Sequence, residues 1–184
     1  MDETIKRKRY ELSTRVAYHN RYFQVTHDRY RLPRDGGEGD YYFVELPGST
    51  MIVPQLDDGR FVLVRQHRYP WSRSSLEFPG GGIKHGLDPL DNAREELREE
   101  AGYAASDWRR LGAFAPCNGL TTEMCHVFLA RGLSQVGVAP EPTEDLSVVL
   151  LTRDELEAAI GSGELWDGQA ICCVAFLDRY QGSL

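Results

Sequence analysis

The sequence predicts an α+β fold, an α/β/α sandwich on a mixed β-sheet with a β-strand extension at the N-terminus. Three observations predict it. Short alternating or apolar runs bounded by Gly, Pro and Asp recur along the chain and read as strands. A strongly capped amphipathic helix interrupts them between Asp88 and Gly102. Two more helical stretches follow near the C-terminus, so strands and helices are interleaved rather than segregated.

Taken in order, residues from about Val16 to Leu46 read as strands broken by a turn cluster, Pro33-Arg34-Asp35-Gly36-Gly37-Glu38-Gly39. Tyr22–Thr26 and Tyr41–Leu46 are the strand segments on its two sides. Met51–Pro54 and Arg60–Val64 flank Asp57-Asp58-Gly59, and a D-G turn between apolar runs predicts a β-hairpin. Shorter strands are expected at Leu111–Phe114 and His126–Ala130. A strand at Val148–Leu151 leads into a helix over Asp154–Ile160, and a final apolar helix runs from about Gln169 to Tyr180.

Composition bounds the function. A chain of 184 residues with 41% apolar content holds one domain, or one domain with a small extension, and a real core. A net charge of −7 excludes a binder of nucleic-acid backbones, which needs a basic surface. The basic run Lys6-Arg7-Lys8-Arg9 reads as a solvated arm. No apolar run approaches the length of a membrane span, and MDETIKRKRY lacks a signal core. Cys117, Cys125, Cys172 and Cys173 show no C-x-x-C spacing, and the last two lie in an apolar segment. They read as reduced thiols, which predicts a cytoplasmic protein with no membrane partner.

The helix carries the chemistry. Asp88 is its predicted N-cap and Pro89 its first residue, with Asp91 at the positive end. Leu90, Ala93, Leu97 and Ala101 form the buried stripe, and Gly102 the left-handed C-cap. Residues three and four apart share a face, so Glu96, Glu99 and Glu100 point the same way. Three such carboxylates repel one another unless a cation lies among them. Hard divalent cations take oxygen ligands, so the pattern predicts a magnesium site, with manganese as a substitute. Taken alone, an E-E-x-x-E-E run reads first as a solvated acidic face with Arg94 and Arg98 as partners.

The segment around that run is longer than the run itself. Pro79-Gly80-Gly81-Gly82 precedes the helix, and Gly102-Tyr103 closes it. Together they resemble the Nudix box, G-x5-E-x7-R-E-U-x-E-E-x-G-U. Gly81 matches its first glycine, and Glu96, Leu97, Glu99, Glu100, Gly102 and Tyr103 match its second half. Leu87 stands where the pattern has its first Glu, and Glu95 where it has Arg. Arg94 lies about 100° around the helix and does not replace that Arg. Outside the box, Arg65-Gln66-His67-Arg68-Tyr69, Leu76-Glu77-Phe78-Pro79-Gly80-Gly81 and Glu144-Asp145-Leu146 resemble the ADP-ribose and nucleoside-diphosphate-sugar pyrophosphatase branch of the family.

The resemblance implies a division at residue 47, with residues 1–47 a dimerising β module and 48–184 the hydrolase domain. It implies a homodimer acting on a small nucleoside-diphosphate substrate. Glu96, Glu99 and Glu100, with the carbonyl of Gly80, are then the metal ligands. Arg68 is a phosphate clamp, Arg65 a weaker substrate contact, and Glu77 a metal or substrate contact on the polar side of its strand. Glu144 is the implied catalytic base on a mobile loop, with Glu99 and Glu100 catalytic through the metal and Glu141 next in line to Glu144. Ser147 stands where the branch often has a second acid. His67, His85 and His126 lack paired ligand spacing and read as non-ligands, and Trp71 reads as packing. The alternative function is a Nudix-fold nucleotide-sugar binding or regulatory protein with little turnover.

Overall fold

The computed structural model describes residues 9–137 and 146–182. It divides into two compact units. The first holds the chain up to Pro47 together with Cys117–Glu123, and the second holds Gly48–Pro116 with Met124 onward.

In the first unit, β1 (Glu11–His19), β2 (Gln24–Arg31) and β3 (Glu38–Glu45) form an antiparallel sheet in that order. The sequence placed Tyr22 and Phe23 in a strand, but they form the β1–β2 turn. Asn20 Oδ1 accepts from the N–H groups of both, at 2.8 and 3.0 Å, which fixes an Asx turn there. The sheet keeps a largely exposed strand: Leu12, Val16 and Tyr18 of β1 are all exposed. His27 and Tyr42 stack across β2 and β3 with ring centroids 4.3 Å apart.

The second unit contains β4 (Ser49–Pro54), β5 (Phe61–Arg68), β6 (Arg73–Glu77), β7 (Gly80–Gly82), β8 (Tyr103–Phe114), β9 (Cys125–Gln135) and β10 (Leu146–Leu151). Its helices are α1 (Pro89–Glu96), α2 (Arg153–Ser162) and α3 (Gly168–Gln181). One sheet has the order β7-β4-β9-β8, with β4 and β9 parallel; the other has the order β10-β5-β6 and is antiparallel. Every residue of β4 is buried, as expected of a strand covered on both faces.

Strand alternation then sorts the core into two clusters. Met51 and Val53, with Phe61 and Leu63, pack with Leu156, Cys173 and Leu177 of α2 and α3. Ile52 and Val62 pack the other way, with Ala93, Leu97 and Ala101 of the glutamate helix. Helices therefore cover both faces, which makes the predicted α/β/α sandwich on a mixed sheet.

Three expectations change. The Asp57-Asp58-Gly59 turn forms, with Leu56 N–H donating to Arg60 O at 2.9 Å. It does not join a hairpin, because β4 and β5 share one bridge, Gln55 with Phe61, and then enter different sheets. The Gly-rich turn is a short strand, β7, paired with β4. The strands expected at Leu111–Phe114 and His126–Ala130 are the ends and middle of a much longer antiparallel pair, β8 and β9. The cysteines described are free thiols, and burial pushes that of Cys173 well above its ordinary range. Among the described residues no helix is long and apolar enough to cross a membrane.

Candidate active site

The glutamate helix forms as its sequence dictates. Asp88 takes extended backbone angles and its side chain accepts from the N–H groups of Leu90 and Asp91, with Pro89 in the first turn. Backbone hydrogen bonding holds the Asp88 carboxyl below its usual range. After Glu96 the helix widens into a π-helical turn, Leu97–Ala101, and stops at Gly102, whose φ of 73° makes the left-handed cap. The wider turn carries Glu99 and Glu100.

The three box glutamates are held differently. Glu96 and Glu100 are buried, at 7% and 4% exposure, so the acidic ridge is not a solvated face. Glu100 Oε2 accepts from the N–H of Gly80 at 2.8 Å. Gly81 lies against Glu96 so closely that a Cβ there would come within 2.8 Å of the carboxylate and displace it. Glu99 Oε2 accepts from Lys84 Nζ at 2.8 Å. The same ammonium reaches Glu95 Oε2 at 3.3 Å. Arg94 binds Asp91 instead, at 2.8 Å, and leaves the ridge to Lys84.

Strand alternation places the remaining candidates. Cross-strand pairing sets Glu77 beside Val64, on the side of β5 that also carries Arg68. Arg68 grips Glu77 through both arms of its guanidinium: Nε donates at 2.9 Å and the second arm is closer still. Glu77 is 4% exposed, so this is a buried carboxylate with a half-exposed arginine above it. The hydrogen bond that Arg68 donates to Glu77 holds the Arg68 pKa above its ordinary value against the effect of burial; Asp167 and Glu100 act in the same direction. Arg68 thus lies within electrostatic reach of the glutamate ridge. Arg65 is on the opposite face of β5, the side of Phe61 and Leu63, and binds Glu164 at 2.6 Å. Ser147 of β10 is its cross-strand neighbour. Glu144 and Glu141 lie outside the described residues.

The structure thus seats Glu100 at the Gly80 amide and Glu96 against Gly81, while Glu99 turns to Lys84 and Arg65 to Glu164 on the other face of β5. Two residues escaped the sequence reading. Asn92 is fully buried; its Oδ1 accepts from Lys84 N–H at 2.9 Å and its Nδ2 donates to Thr50 Oγ1 at 3.0 Å. Lys84 is the other, and only the fold brings it to Glu95 and Glu99. Trp71, read as a lone aromatic, is exposed and meets Trp166 edge-on at 5.5 Å.

The donor set suits a hard divalent cation: three carboxylates on one short stretch beside a glycine strand that admits close approach. Among the described residues no group of three His, Cys, Asp or Glu side chains already converges as a metal cage. Glu99 is drawn to Lys84 and Glu100 to the Gly80 amide.

A separate cavity of about 390 Å³ lies in the N-terminal unit, lined by Tyr10, Asp28, Tyr30, Tyr41, Phe43 and the Asn118–Thr122 segment. None of the box residues lines it.

Comparison with known proteins agrees with this architecture. A family model described as NUDIX domain matches residues 45–171. The chain is 29% identical over 168 residues to a methanol dehydrogenase activator of Bacillus methanolicus, covering 90% of each. It is 32% identical over 136 residues to an ADP-ribose pyrophosphatase of Bacillus subtilis (strain 168), covering 73% of this chain and 74% of that one. The crystal structure of an ADP compounds hydrolase shares the fold, with a TM-score of 0.82 at 19% identity and 94% of each chain covered. With the family model spanning most of its length, this chain belongs to the Nudix family.

Proposed function

We propose that the chain hydrolyses the diphosphate linkage of ADP-ribose or a related nucleoside-diphosphate sugar, with Mg²⁺ as the working cation and Mn²⁺ able to replace it. The observation that carries this reading is the seating of Glu96 and Glu100, two buried carboxylates, against the backbone of Gly80 and Gly81. The pyrophosphatase relative supports the substrate class.

Glu96, Glu99 and Glu100 would hold the cation, with the carbonyl of Gly80 as a further oxygen ligand. The bound cation supplies charge neutralisation for the diphosphate oxygens. Arg68, its guanidinium oriented by Glu77, positions a phosphate through its planar fork. Glu144 takes a proton from the attacking water. The water oxygen bonds to one phosphorus, the bridging P–O bond breaks, and the leaving phosphate carries away the electron pair. The products are a nucleoside monophosphate and a sugar phosphate. Arg65 is proposed only as a support, through Glu164. The chain would work in the cytoplasm.

The N-terminal module, residues 1–47, is the proposed dimerisation element and helps to hold the terminal group of the substrate. The exposed Leu12, Val16 and Tyr18 of β1 support the first role. Light scattering on V16E/Y18E should report a monomer if β1 joins the subunits; an unchanged dimer removes that role.

The activator among the relatives favours a second reading, regulation through nucleotide binding with slow turnover. A panel of diphosphate compounds with Mg²⁺ separates the two. The hydrolytic reading expects phosphate-containing products from one or a few members of the panel. Tight binding across the panel with no products supports the regulatory reading instead.

A further inference from the structure

The family pattern places an Arg on the helix where this chain has Glu95, and a Glu in the preceding loop where it has Leu87. The structure shows what occupies the vacated charge relationship. Lys84, from the loop, lies between Glu95 and Glu99, at 3.3 and 2.8 Å from their Oε2 atoms. The polarity is reversed: the cation is on the loop and the carboxylate is on the helix.

This lysine is held at its base as well as at its tip. Its N–H donates to the fully buried Asn92, which is itself bonded to Thr50 of β4. Its carbonyl accepts from Leu87 N–H at 3.1 Å, closing the loop turn that presents it. Arg94, the residue beside Glu95 on the helix, is committed to Asp91.

We propose that Lys84 is the internal counter-cation of the glutamate ridge, and that a divalent cation entering the site takes Glu99 over from it. The inference rests on Glu96, Glu99 and Glu100 being the cation ligands. It says in addition that Lys84 trades one property for another. In the metal-free protein it offsets repulsion among Glu95, Glu96, Glu99 and Glu100. During loading it competes for Glu99 and adds like charge beside the incoming ion. After loading it stays with Glu95.

The test uses Mn²⁺ alone, without substrate, on the full chain. Free Mn²⁺ is followed by electron paramagnetic resonance, and thermal unfolding is measured in chelator. Lys84→Met should bind Mn²⁺ about three- to tenfold more tightly, the scale of one half-exposed charge near a divalent ion. Its metal-free Tm should fall by about 2–4 °C. Lys84→Arg, which keeps the charge, should stay near wild type in both. If Lys84→Met does not fold, Lys84→Gln keeps a donor without the charge and should show the same two signs. Unchanged or weaker Mn²⁺ binding, or an unchanged metal-free Tm, overturns the proposal. Wild-type protein that binds no Mn²⁺ overturns the metal assignment itself and the takeover of Glu99 with it.

Discussion

Gly80 N–H donates to Glu100 Oε2 at 2.8 Å, tying the short strand β7 to the last turn of the glutamate helix. The bond fixes a buried carboxylate that the proposed function makes a cation ligand. Glutamine at position 100 can still accept that hydrogen bond through its amide oxygen, so Glu100→Gln should fold with little change in Tm. Its cation affinity and turnover should each fall by at least about tenfold, as expected when a ligand charge is lost. Calorimetric Mg²⁺ titration beside a circular-dichroism melt checks both halves. Full turnover in this variant removes Glu100 from the metal site.

Gly81 is the second contact of β7 with the ridge. A methyl group there would meet the Glu96 carboxylate at 2.8 Å, so Glu96 must move. Gly81→Ala should therefore lower cation affinity or activity by about ten- to a hundredfold, the scale for disturbing the support of a metal ligand. Steady-state assays over a Mg²⁺ series would show the loss as a raised cation requirement.

Asn92 is the buried bracket between loop, helix and β4. Asn92→Leu leaves the Lys84 N–H and the Thr50 hydroxyl without that partner. Such losses cost about 1–3 kcal/mol. Urea unfolding should show a lower midpoint with an unchanged slope. A wild-type midpoint would mean the bracket is dispensable.

His126 supplies a pH-dependent term from β9, outside the glutamate helix. Burial, and then the charge of Arg110, lower its pKa. Arg110 can only donate, so its bond to His126 Nδ1 at 3.1 Å fixes the neutral ring with the proton on Nε2. A histidine whose pKa is lower in the folded state makes its contribution above its unfolded value and loses it as the pH falls. Wild-type stability should therefore decline between about pH 7 and pH 5. His126→Gln should decline less over that range. Parallel urea-midpoint curves against pH for the two proteins would contradict the assignment.

The legible part of this chain was local. Asp88, Pro89 and Gly102 announce the ends of the helix because caps and left-handed turns are decided by neighbours in sequence. The stripe of Ala93, Leu97 and Ala101 announces its buried side in the same way. The divergence of β4 and β5 was hidden, because a D-G turn specifies a chain reversal and not the sheet each arm joins. The full length of β8 was hidden too. Its exposed polar pairs Ser106-Asp107 and Arg109-Arg110 break the alternation, and it pairs only because β9 lies alongside. At the site, carboxylate spacing marks Glu96, Glu99 and Glu100, whereas the partner of each depends on what folding brings near. No spacing rule points from Leu87 and Glu95 to Lys84, or from Arg68 to Glu77. Burial likewise enclosed two carboxylates, Glu96 and Glu100, of a face that spacing alone left open to reading as solvated.

The most direct measurement is ³¹P NMR of ADP-ribose incubated with the wild-type chain and Mg²⁺, beside the Glu100→Gln variant. The account predicts that the diphosphate resonances give way to two monophosphate signals, one from the nucleotide and one from the sugar phosphate. It predicts that chelator abolishes this change and that Glu100→Gln slows it by at least about tenfold. Diphosphate resonances that persist with wild-type protein, for ADP-ribose and for the nucleotide sugars tested beside it, would contradict the account.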